Sequence, residues 1–148
     1  MGLMDRFRPI FGQGKLDVKE RFELLREAIS GTMSKFYRAR DRKTDKVVGL
    51  KILDPAKTAA FEARFKGLKK PTEGEIAIQF RHPAIVETYE HGLTTTGAQY
   101  LVMEFLEGAG LNSLLLSGNE QLNGRRLQHI RQVAEAVSAV HASGFIHR

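Results

Sequence analysis

The order in which hydrophobic periodicities follow one another along the chain limits its fold more than any other feature. Between residues 35 and 106, apolar residues recur at strand spacing in several short segments, with helical spacing in one region among them. A glycine-containing connector follows at residues 107–110, and the later apolar residues recur at helical spacing. Strands with one embedded helical region, a connector and then helices predict an α+β protein with two lobes and a crevice between them.

Two neighbouring strands are predicted at residues 35–41 and 47–53, joined by a short polar hairpin loop. Successive side chains of a strand point to opposite faces of its sheet. In the second strand, Gly49, Lys51 and Leu53 therefore share one face, and Val48, Leu50 and Ile52 share the other. Pro55 ends this strand, since proline cannot extend a central ladder.

The remaining segments before the connector are assigned from periodicity and capping signals. Residues 18–29 carry apolar residues at helical spacing, but the segment ends at Ser30-Gly31 and could equally be a strand. Thr72 followed by Glu75 reads as a capping box that opens a helix continuing to about Phe80. The other predicted elements are a helix at residues 59–66 and strands at residues 85–91 and 99–106.

Two helices are predicted after the connector. The first is short and covers residues 111–116, and the second is long, amphipathic and covers residues 125–143. Gly144 fits a left-handed cap at the end of the long helix, with Phe145 free to pack back on its last turn.

Composition excludes several classes of site. The chain has no cysteine, which rules out disulfide bonds, thiolate metal ligands and cysteine nucleophiles. No apolar run reaches membrane-spanning length, so no transmembrane segment is expected and a cytoplasmic protein is predicted. The net charge is +6, but the basic residues are spread out and lack interleaved aromatic residues. A solvated basic surface is therefore predicted, and no nucleic-acid partner is expected.

The final residues carry the most specific motif. Residues 141–148 read His-Ala-Ser-Gly-Phe-Ile-His-Arg. This run resembles the lead-in to the catalytic loop of eukaryotic-type protein kinases, which has the form H-x-x-G, two apolar residues and then H-R-D. The resemblance implies that His147 is structural and that Arg148 meets a phosphorylated activation loop. It also implies that the family's next residue is the aspartate that accepts the proton of the substrate hydroxyl.

A second motif lies on the predicted strand at residues 47–53. Residues 48–51 read Val-Gly-Leu-Lys and resemble the kinase strand V-A-I-K. On this resemblance, Lys51 is a catalytic residue that holds a fixed cation over the phosphates of the nucleotide. Gly49 then takes the place of the small residue against the adenine. Taken alone, Lys51 reads as a surface lysine on an edge strand.

The lysine of this family pairs with a glutamate of helix C. Residues 82–86 read His-Pro-Ala-Ile-Val and resemble the family's H-P-N-I-V. Glu73 lies nine residues before this motif, at the family's spacing for the helix C glutamate, so the resemblance implies that it pairs with Lys51. Glu75 is the rival candidate, and Gly74 with the early capping signal predicts a short helix.

The third motif resembles the hinge that binds adenine. Residues 101–108 read Leu-Val-Met-Glu-Phe-Leu-Glu-Gly. The resemblance implies that the Glu104 carbonyl group and both backbone groups of Leu106 bind the base, with Met103 as the gatekeeper residue. Without the resemblance, the segment reads as a buried strand that leads into a loop.

The glycine loop is the weakest match. The family reads G-x-G-x-x-G here, because glycine allows the backbone to approach the phosphates closely. In the corresponding residues 29–34 only Gly31 is retained. Phe36 also replaces the valine that usually lies above the adenine, which predicts a narrower or reshaped pocket.

The resemblance divides the chain into three parts: a leader at residues 1–17, a kinase N-lobe and hinge at residues 18–106, and the start of a helical C-lobe, helices D and E, at residues 107–148. It implies an N-lobe of five antiparallel strands plus helix C. The implied parent is a serine/threonine protein kinase that uses ATP and Mg²⁺ to phosphorylate protein hydroxyls. The metal ligands and the catalytic aspartate would follow Arg148, so the 148 residues alone are expected to be inactive.

Two other functions remain open. The degraded glycine loop and the short helix C favour a pseudokinase or nucleotide-sensing interaction module, and a small-molecule phosphotransferase of the same fold comes next. An aspartate directly after Arg148, an asparagine five residues after that aspartate and a later Asp-Phe-Gly would favour the enzyme. In the isolated chain, the apolar stripes of the last two helices are predicted to be exposed, so that the chain is poorly soluble or loosely folded after about Leu106.

Overall fold

The structure is a computed structural model of the chain. It describes residues 15–146 apart from residues 66, 68, 69 and 119, and only the backbone of residues 27–30 and 121. Most of the predicted leader, residues 1–14, lies outside the described residues, as do His147 and Arg148.

Within the described residues, five strands form one antiparallel sheet. They are β1 Phe22–Ser30, β2 Ser34–Asp41, β3 Lys46–Leu53, β4 Thr88–Leu93 and β5 Gln99–Met103. The strand order is β1-β2-β3-β5-β4, and every neighbouring pair is antiparallel. The predicted α+β class with a five-stranded antiparallel sheet is confirmed.

The two faces of the sheet differ as the alternation in β3 predicts. One face holds the hydrophobic core, in which Leu50 is fully buried. The buried side chains of this face are those of Phe22, Ala39, Val48, Leu50, Tyr100 and Val102. The opposite face carries Gly49 and Lys51, and it is this face that is available for a site.

A cluster of charged groups ties the start of the sheet to its far edge. Helix α1, Val18–Arg21, is a single turn that leads directly into β1, so both interpretations of residues 18–29 are partly right. Arg21 donates two hydrogen bonds to Asp41, at 2.9 and 3.2 Å, and two to Glu90, at 2.7 and 2.9 Å. The Tyr100 hydroxyl also donates to Glu90, at 2.6 Å.

The ionisation of this cluster follows from its contacts. Burial alone would raise the pKa of Asp41, but the hydrogen bonds from Arg21 and from the Lys43 backbone lower it. Burial likewise opposes ionisation of Glu90, and the hydrogen bonds from Arg21 and Tyr100 lower its pKa. Both carboxylates are therefore held in the charged form that pairs with the guanidinium group.

The helix after β3 begins earlier than predicted. Helix α2 covers Pro55–Ala63 rather than residues 59–66. The Asp54 side chain accepts hydrogen bonds from the backbone N–H groups of Ala56 and Lys57, at 3.0 and 3.1 Å, and proline occupies the first helical position. The Asp-Pro pair thus ends a strand and also starts a helix.

Helix α3 covers Glu73–Ala77 and opens with the predicted capping box. Thr72 accepts from the Glu75 backbone at 3.2 Å, and the Glu75 carboxylate accepts from the Thr72 backbone at 2.7 Å. The helix does not extend to Phe80 as predicted, because the next backbone bonds tighten to i→i+3, the last from Phe80 to the Ala77 carbonyl. The predicted short helix C is confirmed.

Two strand boundaries also differ from prediction. Strand β4 starts at Thr88, not at residue 85, because His82 Nδ1 accepts the Ala84 N–H at 3.1 Å and holds a turn. Strand β5 ends at Met103, not at residue 106. Glu104 is no longer part of the ladder and bonds Glu87 instead. Its N–H donates to the Glu87 carbonyl group, and its carboxylate accepts a hydrogen bond from the Glu87 N–H.

Helices α4, Leu111–Leu116, and α5, Arg126–Ala142, agree closely with the predicted segments, with a 3₁₀ turn at Glu120–Leu122 between them. Gly144 has φ +83°, and the N–H of Phe145 bonds the Val140 carbonyl at 3.3 Å. These contacts form the predicted left-handed cap. Among the described residues, no helix combines the length and apolarity needed to cross a membrane.

The last helices leave apolar side chains in water. On α5, the exposed fraction is 79% for Leu127 and 65% for Ile130, and on α4 it is 82% for Leu116. The predicted exposure of these stripes is therefore present in the structure.

Candidate active site

The face of the sheet opposite the core carries an ion pair. Lys51 of β3 donates from Nζ to Oε1 of Glu73, the first residue of α3. The two side chains are 27% and 46% exposed, respectively. A pair this accessible to water adds at most about 1 kcal/mol to folding stability. Its main physical effect is therefore to fix the position of the ammonium group.

A close contact between α3 and the sheet determines where Glu73 lies. Gly74 is buried against β4, and a Cβ atom placed on it would lie 2.5 Å from the Cβ of His91. Only a glycine lets the helix approach this strand so closely. From the sequence, Gly74 is expected to weaken the helix. In the structure it allows α3 to pack closely on the sheet.

The second acidic residue of α3 is engaged elsewhere. The pKa of Glu75 is lowered, first by the hydrogen bond from the Thr72 backbone and then by that from the Thr72 side chain. The structure thus places Glu73, rather than its rival Glu75, beside Lys51.

The segment after β5 offers backbone groups at the edge of the same face. Gly49 pairs with Met103 across the ladder, so both lie on the face that carries Lys51. Among the described residues, no hydrogen bond uses the Glu104 carbonyl group or either backbone group of Leu106. The resemblance to the kinase hinge implies that these three groups bind the adenine base.

The turn between β1 and β2 holds Gly31. The Gly31 N–H donates to the Ser34 carbonyl at 2.9 Å, which closes the turn. Helix α2 supports this turn, since Lys57 Nζ donates to the Thr32 carbonyl at 2.6 Å. The loop that corresponds to the glycine loop is thereby attached to α2, a contact that the sequence does not reveal.

The aromatic side chain of Phe36 lies on the face that carries Lys51. The ring of Phe36 sits against Gly49 and is stacked with Phe105, with ring centroids 6.2 Å apart. The guanidinium group of Arg38 lies 5.6 Å from the centre of the Phe105 ring. Phe36 is already unusual in the sequence, but Arg38 and Phe105 carry no sequence signal, because their proximity depends on the strand register.

Comparison with known proteins identifies the family of this fold and site. Residues 22–148 match the protein kinase domain, and the chain belongs to that family. It is 33% identical over 133 residues to a probable serine/threonine-protein kinase of Streptomyces coelicolor, covering 86% of this chain and 19% of that protein. It is 31% identical over 136 residues to the serine/threonine-protein kinase PknB of Mycobacterium tuberculosis, covering 88% and 21%. The chain spans about a fifth of the length of these relatives.

Solved structures of kinases share the fold. The apo form of PpkA-294 superposes with a TM-score of 0.69 at 18% identity, covering 86% of this chain and 51% of that one. The Mycobacterium tuberculosis PknI kinase domain gives 0.65 at 24% identity, covering 86% and 50%. Rad53 1–466 in complex with AMP-PNP gives 0.65 at 25% identity, covering 88% and 33%.

Proposed function

We propose that this chain forms the ATP-binding part of a serine/threonine protein kinase, whose parent protein transfers the γ-phosphoryl group of ATP to protein hydroxyls. The ion pair between Lys51 and Glu73 carries this proposal, because it holds a cation on a rigid strand beside the hinge segment. Two further findings support it. The relatives quoted above are serine/threonine kinases, and a structure that shares the fold holds AMP-PNP.

The position of each residue suggests its part in the site. The adenine would lie against Gly49 and Met103, accept a hydrogen bond from the Leu106 N–H and donate one from its amino group to the Glu104 carbonyl. The Leu106 carbonyl group would then face the C2–H edge of the base. The triphosphate would then extend towards Lys51 and the turn at Gly31. In phosphoryl transfer, catalysis comes mostly from positioning and from electrostatic stabilisation. Glu73 contributes by holding the Lys51 ammonium in place before the nucleotide arrives.

Magnesium accompanies ATP in this family. Among the described residues, no three side chains of histidine, cysteine, aspartate or glutamate form a group that could hold a metal ion. In protein kinases the magnesium ions are held by the aspartate of Asp-Phe-Gly and by the asparagine of the catalytic loop. The resemblance places both after Arg148, so no residue of this chain is proposed as a magnesium ligand. We infer that the activity belongs to the cytoplasm, where ATP is available.

We further infer that a polypeptide made of these 148 residues binds ATP without transferring phosphate. The family's proton-accepting aspartate comes directly after the His-Arg pair, and no residue follows Arg148 in that polypeptide. A radioactive phosphate-transfer assay with this polypeptide and a generic protein substrate is expected to show no turnover above background. Sustained turnover would contradict this inference.

A nucleotide-sensing module or pseudokinase is the second candidate. The observation that favours it is the ring of Phe36 against Gly49, in the space proposed for the base. The residues that follow Arg148 in the reading frame of the parent separate the two candidates. Asp at the next position, Asn five residues later and a later Asp-Phe-Gly support the enzyme, and loss of two of the three supports the module.

Calorimetric titration of the chain with MgATP tests the proposed site. Saturable binding to the wild type is expected, and Lys51→Met should weaken it at least tenfold, because it removes a charged hydrogen-bond donor. Lys46→Met is the matched control, since Lys46 is exposed at the other end of the same strand. Equal affinity of all three proteins, or no binding by the wild type, contradicts the proposed function.

A further inference from the structure

The ring of Phe36 and the bare α-carbon of Gly49 are matched in size. A Cβ atom on Gly49 would lie 2.6 and 2.9 Å from Cζ and Cε2 of Phe36, and 3.1 Å from Cγ of Met103. Real Cβ atoms essentially never come within 3.0 Å of another heavy atom, so alanine at position 49 is incompatible with this ring position. The absence of a side chain at Gly49 is what allows Phe36 to lie where it does.

The register of the sheet points Phe36 towards the site. Phe36 lies opposite Lys51 in the β2–β3 ladder, and Arg38 lies opposite Gly49. Residues directly opposite each other in an antiparallel pair project to the same face. Phe36 therefore stands on the face that carries Lys51 and not on the core face with Leu50.

The segment after β5 also contacts the Phe36 ring, through Phe105. The rings of Phe36 and Phe105 are nearly parallel, at 13°, with centroids 6.2 Å apart. Arg38 lies over the Phe105 ring and makes an ion pair with Glu107 at 3.4 Å. The stacking on Phe105 favours the inward position of the Phe36 ring. The two contacts of Arg38 join β2 to the hinge segment that carries Phe105.

We propose that Phe36 controls the admission of the nucleotide base, so that a purine enters only after the ring has left Gly49. This inference rests on the proposed function, which puts the base against Gly49. The ring and a base cannot both fill that space, so the apparent affinity for ATP is reduced by the fraction of molecules whose pocket is closed. Phe36 is thus a specificity-determining residue, because it lowers the affinity only for ligands that carry a base. The phosphate contacts of Lys51 do not change.

Substitution of the ring tests the admission step. In Phe36→Val the pocket is open, and the affinity for ATP and for adenosine should rise roughly three- to tenfold, the factor that corresponds to one aromatic contact. Inorganic tripolyphosphate has no base, so its affinity should not change. Phe36→Leu is a second variant with a smaller loss of apolar volume, and it should show the same selectivity for ligands that carry a base.

A second cycle separates the pocket geometry from nucleotide binding. Gly49→Ala should lower the thermal midpoint of the wild type, but it should cost much less in the Phe36→Val background, where the opposing ring is absent. An additive cycle would mean that the two residues are not matched, and it would overturn the inference. This measurement requires no ligand.

The possible results distinguish a failure of the admission role of Phe36 from a failure of the proposed function. If the wild type binds ATP and Phe36→Val binds no more tightly, the admission role is wrong while the proposed function stands. An equal gain for tripolyphosphate would also overturn it, since the base would then have no part in the effect. If neither protein binds ATP, the proposed function fails, and the admission role fails with it.

Discussion

The contact between Gly74 and His91 predicts a large response to a very small substitution. An added Cβ at position 74 would lie 2.5 Å from Cβ, 2.6 Å from Cγ and 2.8 Å from Nδ1 of His91. Rotation of the His91 side chain cannot remove its own Cβ, so helix α3 itself must move. Ordinary contact begins near 3.4 Å, which requires a displacement of about 1 Å, enough to disturb a positioned catalytic group.

The energetic effect is the difference between two opposing terms. Overpacking of this kind costs roughly 1–3 kcal/mol, whereas alanine gains about 1 kcal/mol over glycine inside a helix. The clash should win by up to about 2 kcal/mol, which corresponds to a fall in thermal midpoint of several degrees, roughly 2–4 °C per kcal/mol for a domain of this size. The shift of α3 should also pull Glu73 away from Lys51 and weaken ATP binding.

Thermal unfolding and ATP titration of three variants test this reasoning. Gly110→Ala is the matched control, because a Cβ there meets nothing within 4 Å and the φ of −66° suits any residue. Its midpoint should change by less than that of Gly74→Ala. The double variant Gly74→Ala/His91→Gly removes the opposing Cβ and should recover ATP affinity. If Gly74→Ala matches the wild type in both midpoint and affinity, the proposed seating of α3 is refuted.

Two further predictions follow from the charged cluster and from the exposed stripe. The lowered pKa values of Asp41 and Glu90 mean that their contribution to stability is complete above the ordinary carboxyl range and is lost as the pH falls through the lowered values. Acid unfolding should show this loss, and Arg21→Met should shift it to higher pH; superimposable acid transitions would contradict the assignment. The exposed stripe is expected to make the chain self-associate. Replacing Leu127 and Ile130 by lysine should reduce that association in sedimentation velocity with little change in thermal midpoint, since both side chains are already exposed; a monomeric wild type, or unchanged self-association, would argue against the stripe as its cause.

Much of the sheet was predictable, because its strands obey local rules. The alternation in β3 separates Leu50 from Lys51 without knowledge of any partner strand. The predicted boundaries were wrong where one pair of residues both ends a strand and starts a helix, or where a side chain hydrogen-bonds to the backbone in place of a strand partner. Asp54-Pro55 both ends β3 and caps α2, and the His82 imidazole converts the expected start of β4 into a turn.

The candidate site was predictable where motifs fix it and unpredictable where packing fixes it. The spacing of Glu73 from the next motif was sufficient to propose its pairing with Lys51. A pocket narrowed by Phe36 was expected from its place in the motif. The role of Gly74 and the contact of the Phe36 ring with Gly49 were not accessible, because each depends on the size of a residue on another element. Long-range clusters such as Arg21 with Glu90 have no local signature at all, since the two residues are 69 positions apart.

Ligands with and without phosphates test the role of Lys51 directly. Affinities for ATP and adenosine are measured by calorimetry on the wild type and on Lys51→Met. If Lys51 is the cation held over the phosphates, the substitution should weaken ATP binding at least tenfold and leave adenosine binding within about twofold. Equal losses for both ligands, or no loss for ATP, would contradict the assignment of Lys51 and with it the proposed nucleotide site.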